Sequence, residues 1–407
     1  MRQVNVVYCG WGEQWPLGRL ADDGRTLLFE YAPEALAQGL ELSPLHLKLR
    51  PQAYGDFPVY QHRLPGRLAD RLPDGWGLVL MDRVFRQQGL RHPGPLDRLA
   101  FIGHRAMGAL CFIPAQDADA QAPDWGLLAL AQESARVLAG EAGAALRELA
   151  LTGGSPQGAR PKALVQYDMA SGQISTRPDA AGSPWLVKFP AQGEHQEVCA
   201  IEQCYAELAR ECGLESPDRR CCEVAAKLAS FGASRFDQEA GLRVPVHSLA
   251  GLLHIDFRLP GAADYTTFLR ATRLLTRDER EVEKAYDRAV FNVLFHNRDD
   301  HPKNLAWRLG RDRHWRLAPA FDLTFSTGPM GQHHIDVCGE GAAIERGHLL
   351  RLAQEGGIGI HTAKHSIDRM LPHAASLAGR LADFPVRRAT AQELCATVQA
   401  CYRRLMG

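Results

Sequence analysis

The chain has 407 residues, of which 45% are hydrophobic and 23% charged, as in folded globular proteins and unlike disordered ones. Because 47 basic residues balance 47 acidic ones, net charge offers no basis for direct nucleic-acid binding. No secretory leader pattern or membrane-length apolar run is present, so we expect a cytoplasmic protein without a membrane segment. The ten cysteines form no Cys-x-x-Cys pair and predict reduced thiols without a zinc site.

The first part of the chain, residues 1–115, has the pattern of a small α+β subdomain. Short strand-like runs alternate with turn residues, and one helix is predicted between them. The strands are predicted at 4–8, 26–31 and 109–113, and the helix at 77–88. A linker rich in Ala, Asp, Gln and Pro follows at 115–124.

The second part, residues 116–237, combines a glycine-rich loop with further strands. The loop is predicted at 152–162, after two amphipathic helices at 126–139 and 143–151. Strands are then predicted at 163–168, at 184–190 and near 222–236, with a helix at 198–211.

The third part, residues 238–407, is predicted to be mostly helical. Apolar residues at helical spacing mark a long helix at 278–295, and a strand is expected at 305–309. Helices continue beyond Gly341, with breaks near 356–359 and at Pro372. A β-rich part followed by a helical part predicts an α+β, two-lobed, protein-kinase-like enzyme with its ligand between the lobes.

The sharpest chemical motif is Asn297-Arg-Asp-Asp-His-Pro-Lys-Asn304. Protein kinases take their catalytic Asp and a metal-binding Asn from one loop, with four residues between them. Asp299 and Asn304 have this spacing, and Arg298 repeats the Arg-Asp order. An exposed acidic turn at Asp299 and Asp300 is the simpler alternative.

A second acidic motif, Leu317-Ala-Pro-Ala-Phe-Asp322, follows a strand-like segment around Trp315. An aspartate placed in this way can bind Mg²⁺ that bridges the phosphates of ATP. The alternative is that Asp322 only caps a turn. Both acidic motifs, occurring in this order, predict an ATP- and Mg²⁺-dependent kinase.

Upstream, Lys188 lies inside the apolar run Trp185-Leu-Val-Lys188-Phe-Pro. A buried ammonium group is costly unless it is paired, and an ATP phosphate together with a helix carboxylate would satisfy it. We predict Lys188 as the nucleotide lysine and prefer Glu202 to Glu197 as its carboxylate. A surface lysine on an edge strand is the alternative.

The glycine-rich loop fits neither the P-loop template nor Gly-x-Gly-x-x-Gly, so it is a weak signal by itself. Its place before Lys188 suggests a cover for the nucleotide phosphates. Possible metal ligands occur at His333 and His334, together with Asp336. No third ligand has a suitable spacing, so a turn at the rim of the cleft is the favoured interpretation.

The order of these motifs resembles the HipA family of toxin serine/threonine kinases. Three further segments also resemble this family, namely Leu72-Pro-Asp-Gly-Trp-Gly77, Met81-Asp-Arg83 and Ser234-Arg-Phe-Asp237. The resemblance covers nearly the whole chain and implies a HipA-like fold and ATP-dependent phosphorylation of a protein.

The resemblance assigns roles residue by residue. It implies Asp299 as the catalytic base, and we group Lys303 with it as a second catalytic residue of the same motif. Asn304 and Asp322 are the implied Mg²⁺ ligands. The nucleotide-binding set is Gly153, Gly154, Ser155, Gly158, Lys162, Lys188, Glu202, Ser234, Phe236 and His301.

The resemblance also has implications for partners and regulation. Known members act on aminoacyl-tRNA synthetases, pair with a small DNA-binding antitoxin, and are silenced by phosphorylation of a loop serine, for which Ser155 is the nearest match and Thr152 the second. Ser234 stands where members often have Glu or Lys, so we assign the adenine hinge to backbone groups.

Two other functions share part of this pattern. A kinase-fold enzyme that phosphorylates a small molecule would use the same Asp299, Asn304 and Asp322. A non-catalytic module for toxin–antitoxin assembly is the other alternative, although a degenerate kinase usually lacks one of these residues. Consumption of ATP would distinguish the protein kinase from the non-catalytic module. The identity of the phosphate acceptor would distinguish it from the small-molecule kinase.

Overall fold

The computed structural model describes residues 1–115, 124–141, 146–153, 158–225 and 228–407. These residues form two units. The first comprises Met1–Cys199, Arg220–His247 and Gly251–His254, and the second comprises Ala200–Arg219, Ser248–Ala250 and Ile255–Gly407. The predicted boundaries at residues 115 and 237 stay predictions.

The strands are concentrated in the first unit. In chain order they are β1 (Gln3–Tyr8), β2 (Trp15–Asp22), β3 (Leu27–Tyr31), β4 (Ala53–Tyr54), β5 (Leu110–Ile113), β6 (Lys162–Tyr167), β7 (Ile174–Ser175), β8 (Ser183–Lys188), β9 (Arg219–Ala225), β10 (Leu228–Ser234), β11 (Gln238–Glu239), β12 (Leu242–Arg243), β13 (Val246–Ser248), β14 (Ala306–Leu309) and β15 (Trp315–Leu317).

The longer helices are concentrated in the second unit. In chain order the helices are α1 (Pro33–Gln38), α2 (Gly66–Ala69), α3 (Gly75–Gln87), α4 (Pro95–Ile102), α5 (Leu127–Leu138), α6 (Leu146–Gly153), α7 (Glu197–Glu211), α8 (Leu249–Leu253), α9 (Tyr265–Thr276), α10 (Glu279–Leu294), α11 (Arg346–Glu355), α12 (Ile360–Ala375), α13 (Leu377–Leu381) and α14 (Arg388–Met406). None of these described helices combines the length and apolar character needed to cross a bilayer.

The first unit contains two five-stranded sheets. Strand order is β4-β3-β2-β1-β5 in the first sheet and β7-β6-β8-β10-β9 in the second. Val4, Val6 and Tyr8 alternate with more exposed residues along β1 and are buried, as expected for a strand with one face on the core. The second sheet places β8, which carries Lys188, at its centre.

The second unit is built around α10. Asp278 caps its N-terminus by accepting a hydrogen bond from the Arg280 N–H at 3.0 Å. The apolar positions predicted to face the core are buried in the structure, namely Val282, Ala285, Ala289 and Val293. The helix therefore gives the loop that follows it a rigid base.

Three local predictions were wrong or incomplete. Strand β2 was not predicted because Pro16 and Gly18 look like turn residues, but a register irregularity of β1 at Val6 and Val7 accommodates them. The helix before the glycine-rich loop extends to Gly153. Pro372 does not break α12, because it lies in the last turn and costs only one N–H bond.

A buried histidine network gives the first unit a pH-dependent stability. His247 lies between Asp70, whose Oδ2 is 2.7 Å from Nδ1, and Ser43, whose Oγ is 3.1 Å from Nε2. His247 and Ser43 are almost fully buried. Burial lowers the pKa of His247 to about 4 and outweighs the opposing effect of Asp70.

We predict that stability falls as pH drops from about 6.5 to about 4. In this window the unfolded chain binds a proton at His247 that the folded chain does not, which costs about 3 kcal/mol by pH 4. Thermal unfolding from pH 7.5 to pH 4.5 measures this loss. The loss should shrink in His247→Gln but persist in the control His361→Gln, which alters an exposed histidine. Equal pH dependence in all three proteins would contradict the prediction.

Candidate active site

The predicted catalytic loop connects α10 to β14 in the second unit. His296 starts the loop in the left-handed backbone region, with φ of 55°. Asn304 closes the loop, because its backbone N–H donates to the carbonyl of His301 and its Nδ2 donates to the carbonyl of Asp299, both at 2.8 Å. The side chain predicted as a metal ligand therefore holds the backbone of the residue predicted as the base.

Asp299 is the exposed residue of the loop 296–304, in which most other residues are buried. Its side chain is 51% exposed, whereas Arg298, Asp300 and Asn304 are all buried. Since Asp299 sits on a loop fixed from both sides, its carboxylate is presented to solvent from a defined position. A catalytic base needs this combination of accessibility and order.

His301 and Lys303 lie beside Asp299 in a cluster with Phe257. His301 Nε2 is 3.9 Å from Asp299 Oδ1, and its ring centroid is 5.7 Å from that of Phe257. Lys303 Nζ lies 4.1 Å from the centroid of the Phe257 ring, a cation–π contact. The structure thus places His301 next to the carboxylate of Asp299 and brings His301 and Lys303 to the same phenylalanine ring.

The chain around Asp322 returns to the base of this loop. Asp322 has φ of 57°, a backbone conformation that aspartate tolerates better than most residues. Four residues later, Ser326 forms a parallel bridge with Asn297, and its N–H donates to the carbonyl of His296 at 3.2 Å. Burial lowers the pKa of His296 to about 4, so its neutral ring can donate from Nδ1 to the carbonyl of Ser326 at 3.0 Å.

Asn304 is suited to bind a hard cation. Because its Nδ2 is used by the carbonyl of Asp299, its Oδ1 is the atom left for a ligand. Amide and carboxylate oxygens are the ligands that Mg²⁺ accepts, with phosphate oxygens and water completing the shell. No group of three or more His, Cys, Asp and Glu side chains that could hold a metal occurs in the described residues. A site made of Asn304, Asp322 and phosphates does not require such a group.

The first unit brings two of the predicted nucleotide-binding lysines together. Lys162 on β6 and Lys188 on β8 are direct partners in the antiparallel register, and both side chains are buried. Their Cβ atoms therefore share one face of the sheet at about 5 Å. The two lysine side chains therefore start from adjacent positions on the same face of the sheet.

Lys188 is not the edge-strand lysine of the alternative interpretation. Strand β8 is central, and Lys188 is also paired in register with Phe231 of β10, whose ring centroid lies 5.9 Å from its Nζ. Lys162 Nζ lies so close to Gly158 that a Cβ there would collide with it. The C-terminal end of the glycine-rich loop is therefore packed on a lysine ammonium.

The N-terminal motif Leu72-Pro-Asp-Gly-Trp-Gly77 holds this end of the glycine-rich loop. The carboxylate of Asp74 accepts a hydrogen bond from the N–H of Gly158, and the N–H of Trp76 donates to the carbonyl of Gly158 at 3.2 Å. Gly75 has φ of 39°, and a Cβ there would approach the Cα of Ala159 to 2.7 Å. A glycine is required at that position because the loop backbone packs against it.

The predicted hinge residues end β10. Ser234 is paired in register with Trp185, and the N–H of the next residue, Arg235, donates to the carbonyl of Pro184 at 2.9 Å. Arg235 also forms a bidentate pair with the buried Asp237, at 2.9 and 2.7 Å. Phe236 therefore lies between two residues that are joined by an ion pair, which stiffens this segment.

The remaining predicted residues are placed as follows. Glu202 is buried on α7, as is Glu197, so burial does not distinguish them. Gly153 ends α6 instead of opening the loop, and Gly154 and Ser155 lie outside the described residues. Thr152 is helical, with Oγ1 donating to the carbonyl of Glu148 at 2.9 Å.

The sequence interpretation missed a buried network around Asp300. Asp300 Oδ2 accepts hydrogen bonds from the Tyr265 hydroxyl and from His333 Nδ1, both at 2.7 Å, and Oδ1 accepts one from the N–H of His334 at 2.8 Å. The sequence pattern predicts a turn at the rim for His333, and no pattern singles out Tyr265. The sequence shows only that Asp300 is adjacent to the predicted base, and no motif spacing identifies the residues that bind it.

Comparisons with known proteins agree with the fold and the motifs. The HipA-like C-terminal domain matches residues 154–378 and the HipA N-terminal domain matches residues 10–113. The fold is similar to that of HipA from Shewanella oneidensis MR-1, solved in complex with HipB and operator DNA, with a TM-score of 0.70 and 15% identity over 98% of this chain and 97% of that one.

A weaker structural similarity links 56% of the chain to 89% of the proinflammatory kinase CtkA of Helicobacter pylori, with a TM-score of 0.40 and 12% identity. No curated protein sequence matches the chain.

The fold and the paired domain matches define a HipA-like α+β protein. Because the C-terminal domain match alone covers more than half of the sequence, the chain belongs to the HipA family. The predictions of this family and of an α+β, HipA-like fold with a mostly helical C-terminal part are confirmed.

We predict that Lys188→Met weakens nucleotide binding. Hydrogen bonds to charged groups contribute about 1.5–3 kcal/mol, so ATP affinity should fall about 10- to 100-fold. The variant should still unfold cooperatively without nucleotide, because methionine fills a volume similar to that of lysine. Calorimetric titration and thermal unfolding measure the two quantities.

The matched control is Lys364→Met, which removes an exposed lysine of α12. Its ATP affinity should equal that of the unmodified protein. An unchanged ATP affinity in Lys188→Met would show that the paired lysines do not bind the nucleotide.

Proposed function

We propose that this chain is an ATP- and Mg²⁺-dependent serine/threonine protein kinase of the HipA toxin type. The observation that carries the proposal is the exposed carboxylate of Asp299 on a loop in which the side chains of Arg298, Asp300 and Asn304 are buried and hydrogen-bonded. A loop built in this way serves a reaction at Asp299, because an ordinary acidic turn would not bury its neighbours.

The chemistry assigned to the second unit is that of phosphoryl transfer. Asp299 would accept the proton of the acceptor hydroxyl, and Asn304 and Asp322 would hold Mg²⁺ through their side-chain oxygens. When bound, Mg²⁺ supplies positive charge that neutralises the phosphates. Asn304 would also keep Asp299 in place through the hydrogen bond from its Nδ2 to the Asp299 carbonyl.

The first unit supports the same proposal independently. Lys162 and Lys188 lie opposite each other on one face of the sheet, and Lys162 is next to the end of the glycine-rich loop at Gly158. Phosphate groups of a nucleotide are ligands that lysine ammonium groups bind well. We propose that the lysine pair binds the phosphates and that backbone groups near Ser234 and Phe236 meet the adenine.

We propose further that the acceptor is a host protein, with an aminoacyl-tRNA synthetase as the family analogy, and that phosphorylation arrests growth. The solved Shewanella protein is in complex with HipB and operator DNA. By analogy, this chain would pair with a small DNA-binding antitoxin, which would supply the DNA contact that its own balanced charge does not provide.

The deciding experiment is incubation of the purified chain with γ-labelled ATP and a cell lysate, followed by identification of labelled molecules. Label on serine or threonine of a protein supports the proposal. Label on a small molecule would favour the other kinase function, and an absence of ATP consumption would favour a binding module.

We predict that Asp299→Asn abolishes transfer while nucleotide binding stays intact. Loss of a general base lowers kcat about 10²- to 10⁴-fold, whereas the phosphate contacts belong to other residues. Label transfer and ATP titration measure the two effects. Asp383→Asn, which alters an exposed aspartate, is the control and should behave like the unmodified protein. Retention of normal turnover in Asp299→Asn would refute the assignment.

We also predict that Asp322→Asn weakens ATP binding only when Mg²⁺ is present. Asparagine keeps the left-handed backbone at this position, with φ of 57°, so the substitution should test charge rather than folding. Affinity in Mg²⁺ should fall at least about tenfold. Affinity in a chelator should match that of the unmodified protein, and an equal loss in both buffers would argue against metal binding.

A further inference from the structure

The segment 326–342, which follows Asp322 in the second unit, is attached to the residues on both sides of Asp299. Arg298 precedes Asp299 and is buried. Its Nη1 donates to the carbonyl of Gly331, and its Nη2 donates to the carbonyl of Ala342 at 2.5 Å. One guanidinium therefore binds two points of the segment that lie eleven residues apart.

The backbone of the segment packs directly on Arg298. Gly328 has φ of 70°, and a Cβ there would lie 2.7 Å from the Cβ of Arg298. Between the two attached carbonyls, the N–H of His333 donates to the carbonyl of Gly341 at 2.8 Å, which closes the segment on itself. The segment is thus compact and has no room for a side chain at its first turn.

Asp300 attaches the same segment from the other side of Asp299. Its carboxylate accepts hydrogen bonds from His333 Nδ1 and from the N–H of His334, at 2.7 and 2.8 Å. Asn297 adds the bridge to Ser326. The residues before and after Asp299 therefore bind one segment, and the position of the Asp299 backbone depends on it.

Kinase activation loops are commonly ordered by pairing of arginine with a phosphorylated residue. In this chain, two backbone carbonyls hold Arg298 instead. We propose that Arg298 is a positioning residue that fixes Asp299 through the segment 326–342 and that this contact replaces phosphorylation of the segment. This inference rests on the proposed kinase function and adds that the segment 326–342 needs no phosphate for activity.

The test compares the full chain with Arg298→Gln and Arg298→Lys, and with Arg311→Gln as a control at an exposed arginine. Hydrogen exchange of residues 327–342 without nucleotide reports the attachment directly. Exchange should be faster in both Arg298 variants and unchanged in the control. Lysine keeps the charge but lacks the planar fork that reaches two carbonyls, so it should rescue little.

Transfer kinetics then test the positioning role. A displaced base lowers kcat about 100-fold, whereas the KM for ATP should stay within about twofold because the predicted phosphate-binding lysines, Lys162 and Lys188, belong to the first unit and Arg298 to the second. A general loss of structure would raise KM as well. Phosphatase treatment of the unmodified protein, with mass spectrometry of Ser326 and Thr327, should not lower kcat.

The outcomes separate this inference from the proposed function. Unchanged hydrogen exchange in Arg298→Gln would show that Arg298 does not attach the segment 326–342. Faster exchange together with a normal kcat would show that the attachment does not position Asp299. Loss of activity after phosphatase treatment would overturn independence from phosphorylation. If the unmodified chain transfers no phosphate, the proposed function and the positioning role fail together, while the exchange result still decides the attachment.

Discussion

The carboxylate of Asp300 has no access to water, and this constraint organises the loop 296–304. A buried charge is tolerated only when hydrogen bonds replace its hydration. Burial opposes ionisation, but His333, Tyr265 and the N–H of His334 together hold the pKa of Asp300 below its usual value. Tyr265 is itself fixed, since it accepts a hydrogen bond from Asn292 Nδ2 at 2.8 Å. The loop cannot move without breaking this network.

Burial of Asp300 determines how its neighbour is presented. Asp299 is adjacent in sequence but 51% exposed, and its carbonyl is held by Asn304. The two aspartates thus have opposite environments: that of Asp300 suits a structural role, and that of Asp299 suits a chemical one. The first unit also buries charged side chains, since Asp237 pairs with Arg235 and Lys162 lies opposite Lys188 in the sheet.

Local sequence patterns predicted the motifs and elements whose residues lie close together in the chain. The Asp299–Asn304 spacing, the lysine within an apolar strand and the helical repeat of α10 are all readable within a short window. The partners of Asp300 lie 33 to 35 residues away, so no spacing rule identifies them. The role of Asp74 and Gly75 was missed for the same reason, because their contact with Gly158 and Ala159 crosses more than eighty residues.

The similarity to Shewanella HipA, at 15% identity, defines the fold and not the chemistry. At such divergence the core tolerates extensive substitution as long as size and pattern are kept. Polar side chains that are buried at a cost are different, because they persist in a structure only when each finds a partner. The proposed function of this chain rests on its own residues, namely the exposed Asp299, the Asn304 that holds its backbone, and the buried lysine pair.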